Sequence, residues 1–127
     1  MKFAGVTPMG ARGVMQQRRR HDRIVAPTMR TRYPALNALQ VDFNFSDRTG
    51  SLPSPQVTVF HPPAPAYFFF ACPYGDCDGE FDLVKSVDIA VSSRDAQTRG
   101  QLRCAGTRQR GVACTLCLEF SILPQWA

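Results

Sequence analysis

The stretch CPYGDCDGEFDL, residues 72–83, decides how this chain is read. Cys72 and Cys77 enclose a proline and a glycine, and Gly79 stands two residues past the second cysteine. A segment of this kind turns sharply while carrying two thiols. It suits a metal knuckle, a redox pair, or two core thiols that lie near each other.

The rest of the cysteine pattern separates these readings. Five cysteines stand at 72, 77, 104, 114 and 117. They read as C-x4-C, a 26-residue insert, then C-x9-C, with Cys117 just beyond. An odd count fits a closed disulfide set poorly. The start, Met-Lys-Phe-Ala-Gly-Val-Thr-Pro, has no apolar stretch of signal-peptide length, so a cytoplasmic protein with reduced thiols is expected. The x4 spacing departs from the C-x-x-C redox motif. Each cluster also sits at the end of a predicted strand. That is the layout of a zinc ribbon, in which two turns at the tips of β-elements meet at one tetrahedral ion. The alternative is four or five cysteines acting as small core hydrophobes.

Two glycines favour metal. CDG at 77–79 and CAG at 104–106 both place Gly two residues after Cys. Glycine takes a positive-φ turn at little steric cost, and its N–H can then point at the thiolate. Energetics agree. Below roughly 70–80 residues one hydrophobic core supplies only about 3–5 kcal/mol, and the folded part here is small and rich in loops. A structural Zn²⁺ contributes on the order of 10–16 kcal/mol in apparent terms.

Cys72, Cys77 and Cys104 are the first three candidate ligands. Strand alternation favours Cys114 as the fourth, because it shares a face with Leu116 and Leu118 at the strand's entrance. Cys117 would then be a sheet thiol facing the other way with Glu119, and it stays the alternative. His61 is a rival ligand in a proline-rich loop, and His21 lies in the basic head of the chain.

Away from the cysteines, LQVDFNF at 39–45 alternates strictly, with Leu39, Val41, Phe43 and Phe45 on one face, as a half-buried strand does. QVTVF at 56–60 and YFFFA at 67–71 are further strands, joined by the stiff connector HPPAPA. Leu83, Val84, Val87, Ala90 and Val91 fall at helical spacing, with Asp82 as the cap. GQLRC at 100–104 and CTLCLEFSIL at 114–123 complete the strands, and Pro124 ends the last one. The acidic residues beside the helix start are explained by capping and the helix dipole, with Asp78 able to support the thiolates. The expected architecture is α+β: a small antiparallel, β-rich, zinc-ribbon-like domain over 35–125 with one inserted helix.

The net charge of +5 divides unevenly. Residues 1–32 carry eight basic side chains against Asp22, whereas residues 33–127 carry seven against nine acidic ones. Residues 1–34 are therefore expected to be a disordered basic tail. Met29 opens a stretch that runs straight into the first strand, so residues 1–28 are also expected to be a mis-assigned start.

CPYGDCDGEFDL, LRCAG, and CTLCLEF taken as C-x-L-x-L-x-F together resemble a group of uncharacterised proteobacterial zinc-ribbon-like proteins over about residues 33–123. The resemblance implies a C-P-x3-C-D-G-x-F-D-L knuckle, a helix, and two later ligands, with Cys114 the fourth ligand and Cys117 incidental. It carries no activity.

Three functions compete. The first is a non-enzymatic zinc-stapled module that meets a protein partner, with one face of YFFF as a contact patch. The second is a nucleic-acid-binding ribbon using the basic tail and a finger of Arg99, Arg103, Arg108 and Arg110. The third is an enzyme, which the sequence disfavours: it has no nucleophile elbow, Walker A or dinucleotide fingerprint, and only two histidines. No run is long enough to span a bilayer.

Overall fold

The computed structural model describes residues 11–47, 50–51 and 56–127. The strand with the cleanest alternation is the spine of the fold. β1 (Leu36–Asp47) buries Leu39, Val41, Phe43 and Phe45 and leaves Gln40, Asp42 and Asn44 partly exposed. Its neighbours are β2 (Gly50–Ser51) and β3 (Gln56–Phe60) along one edge and β7 (Cys117–Trp126) along the other. β6 (Thr98–Arg103) pairs with β7, which completes a five-stranded sheet whose pairings are all antiparallel. A separate ribbon of β4 (Phe69–Ala71) and β5 (Glu80–Asp82) carries the first two cysteines just beyond and between its strands. The chain is thus an α+β, antiparallel β-rich domain, as expected.

The core lies between the inner face of the sheet and three things stacked on it: the β4–β5 ribbon, helix α3 (Val84–Ser93), and the cysteine turns. Aromatic rings fill the first contact. Phe43 meets Phe70 at 4.8 Å, Phe45 meets Phe81 at 5.6 Å, and Phe60 stands edge-on to Phe68 at 5.1 Å. Such offset and edge-on pairs are the arrangements that the ring quadrupole favours. Val87 and Ala90 supply the buried face of α3. Asp82 accepts a hydrogen bond from the Val84 N–H at 2.9 Å, so it does cap the helix, from one residue before the capping position.

Two expectations need correction. Pro124 does not end the last strand, since β7 runs on to Trp126 and pairs with Leu36 through an irregular register. Past Ile122, β7 no longer faces β6, so it is an edge there and needs no donor on that side.

The larger correction concerns residues 11–34, which were expected to be disordered. They form α1 (Ala11–Val25) and the short helix α2 (Met29–Arg32), and Met29 and Tyr33 belong to the core. The proline connector explains how. Prolines donate no hydrogen bond, but their carbonyls still accept. The first N–H groups of a helix have no partner within it. Arg30 donates to the Pro62 carbonyl at 3.0 Å and Met29 to that of Ala64 at 2.8 Å, while Ala66 donates to the Pro27 carbonyl at 2.7 Å. Tyr33 hydrogen-bonds Asp88 on α3, and Arg32 reaches the same carboxylate at 3.2 Å. Charge counting saw a solvated run, whereas the fold supplies an acceptor for each of these donors. Residues 1–10 lie outside the described part.

Candidate metal centre

Four of the five cysteines converge. Cys72 follows β4, Cys77 closes the adjoining turn, Cys104 follows β6, and Cys114 lies in the loop that leads to β7. All four are buried, and their Sγ atoms lie within 4.8 Å of one another. The closest pairs join the two clusters: Cys77 to Cys104 at 3.6 Å and Cys72 to Cys114 at 3.9 Å. A tetrahedral ion with metal–sulfur bonds of about 2.3 Å sets its sulfurs about 3.8 Å apart. The group can therefore hold a metal ion.

The two turns are built alike. The Gly79 N–H donates to Cys77 Sγ at 3.3 Å, and the Gly106 N–H to Cys104 Sγ at 3.4 Å. The Gly79 carbonyl accepts from the Cys72 N–H at 3.1 Å, and that of Gly106 from the Cys114 N–H at 3.0 Å. Each glycine thus orients both cysteines of its own cluster. The N–H support is as expected, but the expected positive φ is not found at either residue, and among the described residues the positive-φ glycine is Gly111. These glycines are needed for another reason. The two turns pack backbone to backbone, and a Cβ on Gly106 would fall 2.5 Å from Gly79 Cα.

Side chains then clamp turn to turn. Asp78 Oδ1 accepts the Thr107 N–H at 2.8 Å. Asp76 accepts from Arg108 Nε at 3.1 Å and from the Gln109 N–H at 3.1 Å, and Arg108 also lies 4.1 Å over the Tyr74 ring. Asp47, at the end of β1, accepts from Tyr74 at 2.6 Å and from Thr115 at 2.7 Å, and so ties the sheet to both clusters. The Gln109 N–H, helped by Arg108, holds the Asp76 carboxyl below its usual pKa, and the bond to Asp47 pushes Tyr74 up to about 12. The acidic group near the helix start therefore mostly fastens the turns, and only Asp82 serves the helix.

Burial pushes the Cys72 thiol up, and burial pushes Cys104 up to about 12, with the neighbouring thiols adding to both. Burial would also raise Cys77, but the Gly79 N–H and the neighbouring thiols bring it below its usual value. Four buried thiolates cannot coexist without a compensating cation, so the chemistry of this donor set matches a soft divalent metal.

The other candidates lie elsewhere. Cys117 opens β7 on the outer face of the sheet, opposite Ser46 and Arg103. His61 and His21 are exposed and outside the group. Arg99, Arg103 and Arg110 are exposed, but Arg108 is held by Asp76. The second face of YFFF is partly covered: Tyr67 is buried with Arg23 of α1 over its ring at 5.2 Å, and Phe69 is half-buried. Cys117→Ser is expected to leave metal binding intact and to change stability by about 0.5 kcal/mol or less, as surface replacements usually do. Metal content and denaturant melts check this.

Sequence reasoning missed Arg19. On α1, its Nε donates to Glu80 Oε2 at 2.6 Å and its Nη2 to the Gly79 carbonyl at 2.9 Å. It grips the very peptide that orients Cys72 and Cys77. No local pattern marks it out from its neighbours Arg18 and Arg20.

No protein-family model matches the chain, and no curated protein or solved structure is significantly similar to it. Among the described residues no helix is long and apolar enough to cross a membrane.

Proposed function

We propose that Cys72, Cys77, Cys104 and Cys114 bind one structural Zn²⁺, and that the chain is a non-enzymatic, zinc-ribbon-like module that meets a protein partner in the cytoplasm. The observation that carries this reading is the closed donor set. Four buried sulfurs within 4.8 Å of one another could supply every ligand of a tetrahedral ion from the protein alone. A catalytic zinc uses three protein ligands and keeps one position for water or substrate. Thiolates also suit zinc better than the harder divalent ions, and reduced thiols fit the cytoplasm.

The contact face is β3. It pairs with β1 alone among the described strands, and Val57 and Val59 stand exposed on it. An edge strand with apolar side chains offers main-chain hydrogen bonds and shallow pockets to an added strand. Val57→Lys is expected to abolish capture of a partner from extract while leaving metal content and thermal unfolding unchanged. A partner retained equally by the variant would remove β3 from the proposal. Capture of nucleic acid instead, lost on replacing Arg99, Arg103 and Arg110, would replace this reading with the nucleic-acid one.

A further inference from the structure

Helix α1 docks by a polar stripe. Gln16, Arg19, Arg20 and Arg23 recur at the spacing of one helical face. With Ala71 they line a cleft of about 380 Å³ between α1 and the β4–β5 ribbon. Arg19 is more than nine-tenths buried there, which is rare for a charged side chain. Two arms of its guanidinium are used, by Glu80 and by the carbonyls of Gly79 and Asp78. Its third arm, Nη1, is buried with no hydrogen-bond partner, the only side-chain nitrogen in that condition among the described residues. A buried donor without an acceptor is uncommon and calls for an explanation.

Charge around the cleft is unbalanced. Arg18 is taken up by Asp22 and Glu80, and Glu80 also holds Arg19. Arg20 and Arg23 have no carboxylate within ion-pair distance among the described residues. Four guanidinium groups thus meet two carboxylates, with the surplus on the side that lines the cleft.

The geometry points to an anion site in which Arg20 and Arg23, with the Gln16 amide, bind a phosphoryl group in the cleft, its charge offsetting the buried, unpartnered arm of Arg19. A planar carboxylate is satisfied by two in-plane donors, as Glu80 already is by Arg18 and Arg19. Donors from several residues lining one cleft suit a tetrahedral oxyanion, which accepts from several directions and carries up to two charges. The source is either a free phosphate compound or the backbone of a nucleic-acid strand. This site does not depend on which metal the cysteines hold.

The test titrates the metal-replete full chain with inorganic phosphate, with pyrophosphate and with a short single-stranded DNA, each at matched ionic strength against sodium chloride. Amide and arginine side-chain NMR shifts report binding. Phosphate is expected to give saturable shifts centred on α1 and Ala71. Arg20→Ala, at an exposed position, is expected to weaken binding about tenfold, the loss of one charge-assisted hydrogen bond. Arg99→Ala, on the distant β6 edge, should leave it unchanged. Tighter binding of the DNA than of pyrophosphate, lost equally in Arg20→Ala, assigns the site to a strand backbone, and the reverse order assigns it to a free phosphate compound. Shifts no larger than those from chloride, or equal losses in Arg20→Ala and Arg99→Ala, overturn the site.

Discussion

Gly106→Ala is expected to unfold the domain. The new Cβ would lie 2.5 Å from both Gly79 Cα and Gly79 N, and 2.8 Å from Cys77 Sγ. None of these is the end of a flexible side chain. Two are backbone atoms of the opposite turn, and the third is the buried Cys77 sulfur, which accepts from the Gly79 N–H. Relief needs the two turns to separate, which pulls the sulfur pairs out of reach of one ion. The loss is expected to exceed about 4 kcal/mol, in the range reserved for backbone clashes and lost metal sites. Gly79→Ala should behave alike, since its Cβ would fall 2.3 Å from Cys104 Sγ. Gly75→Ala is the control: it sits in the same first turn with nothing within 4 Å of the added carbon, so a change of about 0.5 kcal/mol or less is expected. Denaturant melts and metal content of the three variants decide the matter. If Gly106→Ala and Gly75→Ala unfold together, backbone contact between the turns is not what the glycines provide.

Removing the metal is expected to have the larger effect still. A tetrathiolate site contributes on the order of 10–16 kcal/mol, and a whole domain is stable by only about 5–15 kcal/mol. A strong chelator at neutral pH should therefore abolish cooperative unfolding, read by near-ultraviolet circular dichroism and by thiol reactivity. Acid should act in the same direction. Thiols of ordinary value, about 8.5, are mostly protonated in the unfolded metal-free chain, and burial in the fold pushes Cys72 and Cys104 further in the same direction. Metal must displace these protons, so lowering pH weakens binding, by about tenfold per pH unit for each proton displaced. Metal release that moves to lower pH when the thiols are made harder to ionise would reverse that sign and refute it.

Much of this centre was legible because its signals are local. Cysteine spacing, the Cys-x-Gly pairs and the alternation of Leu39 to Phe45 each report on a few neighbouring residues. Strand parity favoured Cys114 over Cys117 on the premise that the last strand starts at Cys114; the strand starts at Cys117 instead, and Cys114 joins the other three from the loop before it. Two things were not legible. One is the role of Gly79 and Gly106: a Cys-x-Gly unit shows that a turn exists, but only the meeting of two such turns shows that they touch. The other is the fate of residues 11–34. Arg19 is ordinary in sequence, and its acceptors lie 59 to 61 residues away. The carbonyls of Pro62 and Ala64 that receive the start of α2 belong to a segment whose prolines announce rigidity, with no hint of what it binds.

The metal content of protein purified without added metal, by elemental analysis and native mass spectrometry, tests the centre most directly. Expected is one zinc per chain in the wild type and in Cys117→Ser, and little or none in Cys72→Ser, Cys77→Ser, Cys104→Ser and Cys114→Ser. A wild-type chain that unfolds cooperatively with no metal bound, or zinc that survives loss of Cys114 and leaves with Cys117, would contradict it.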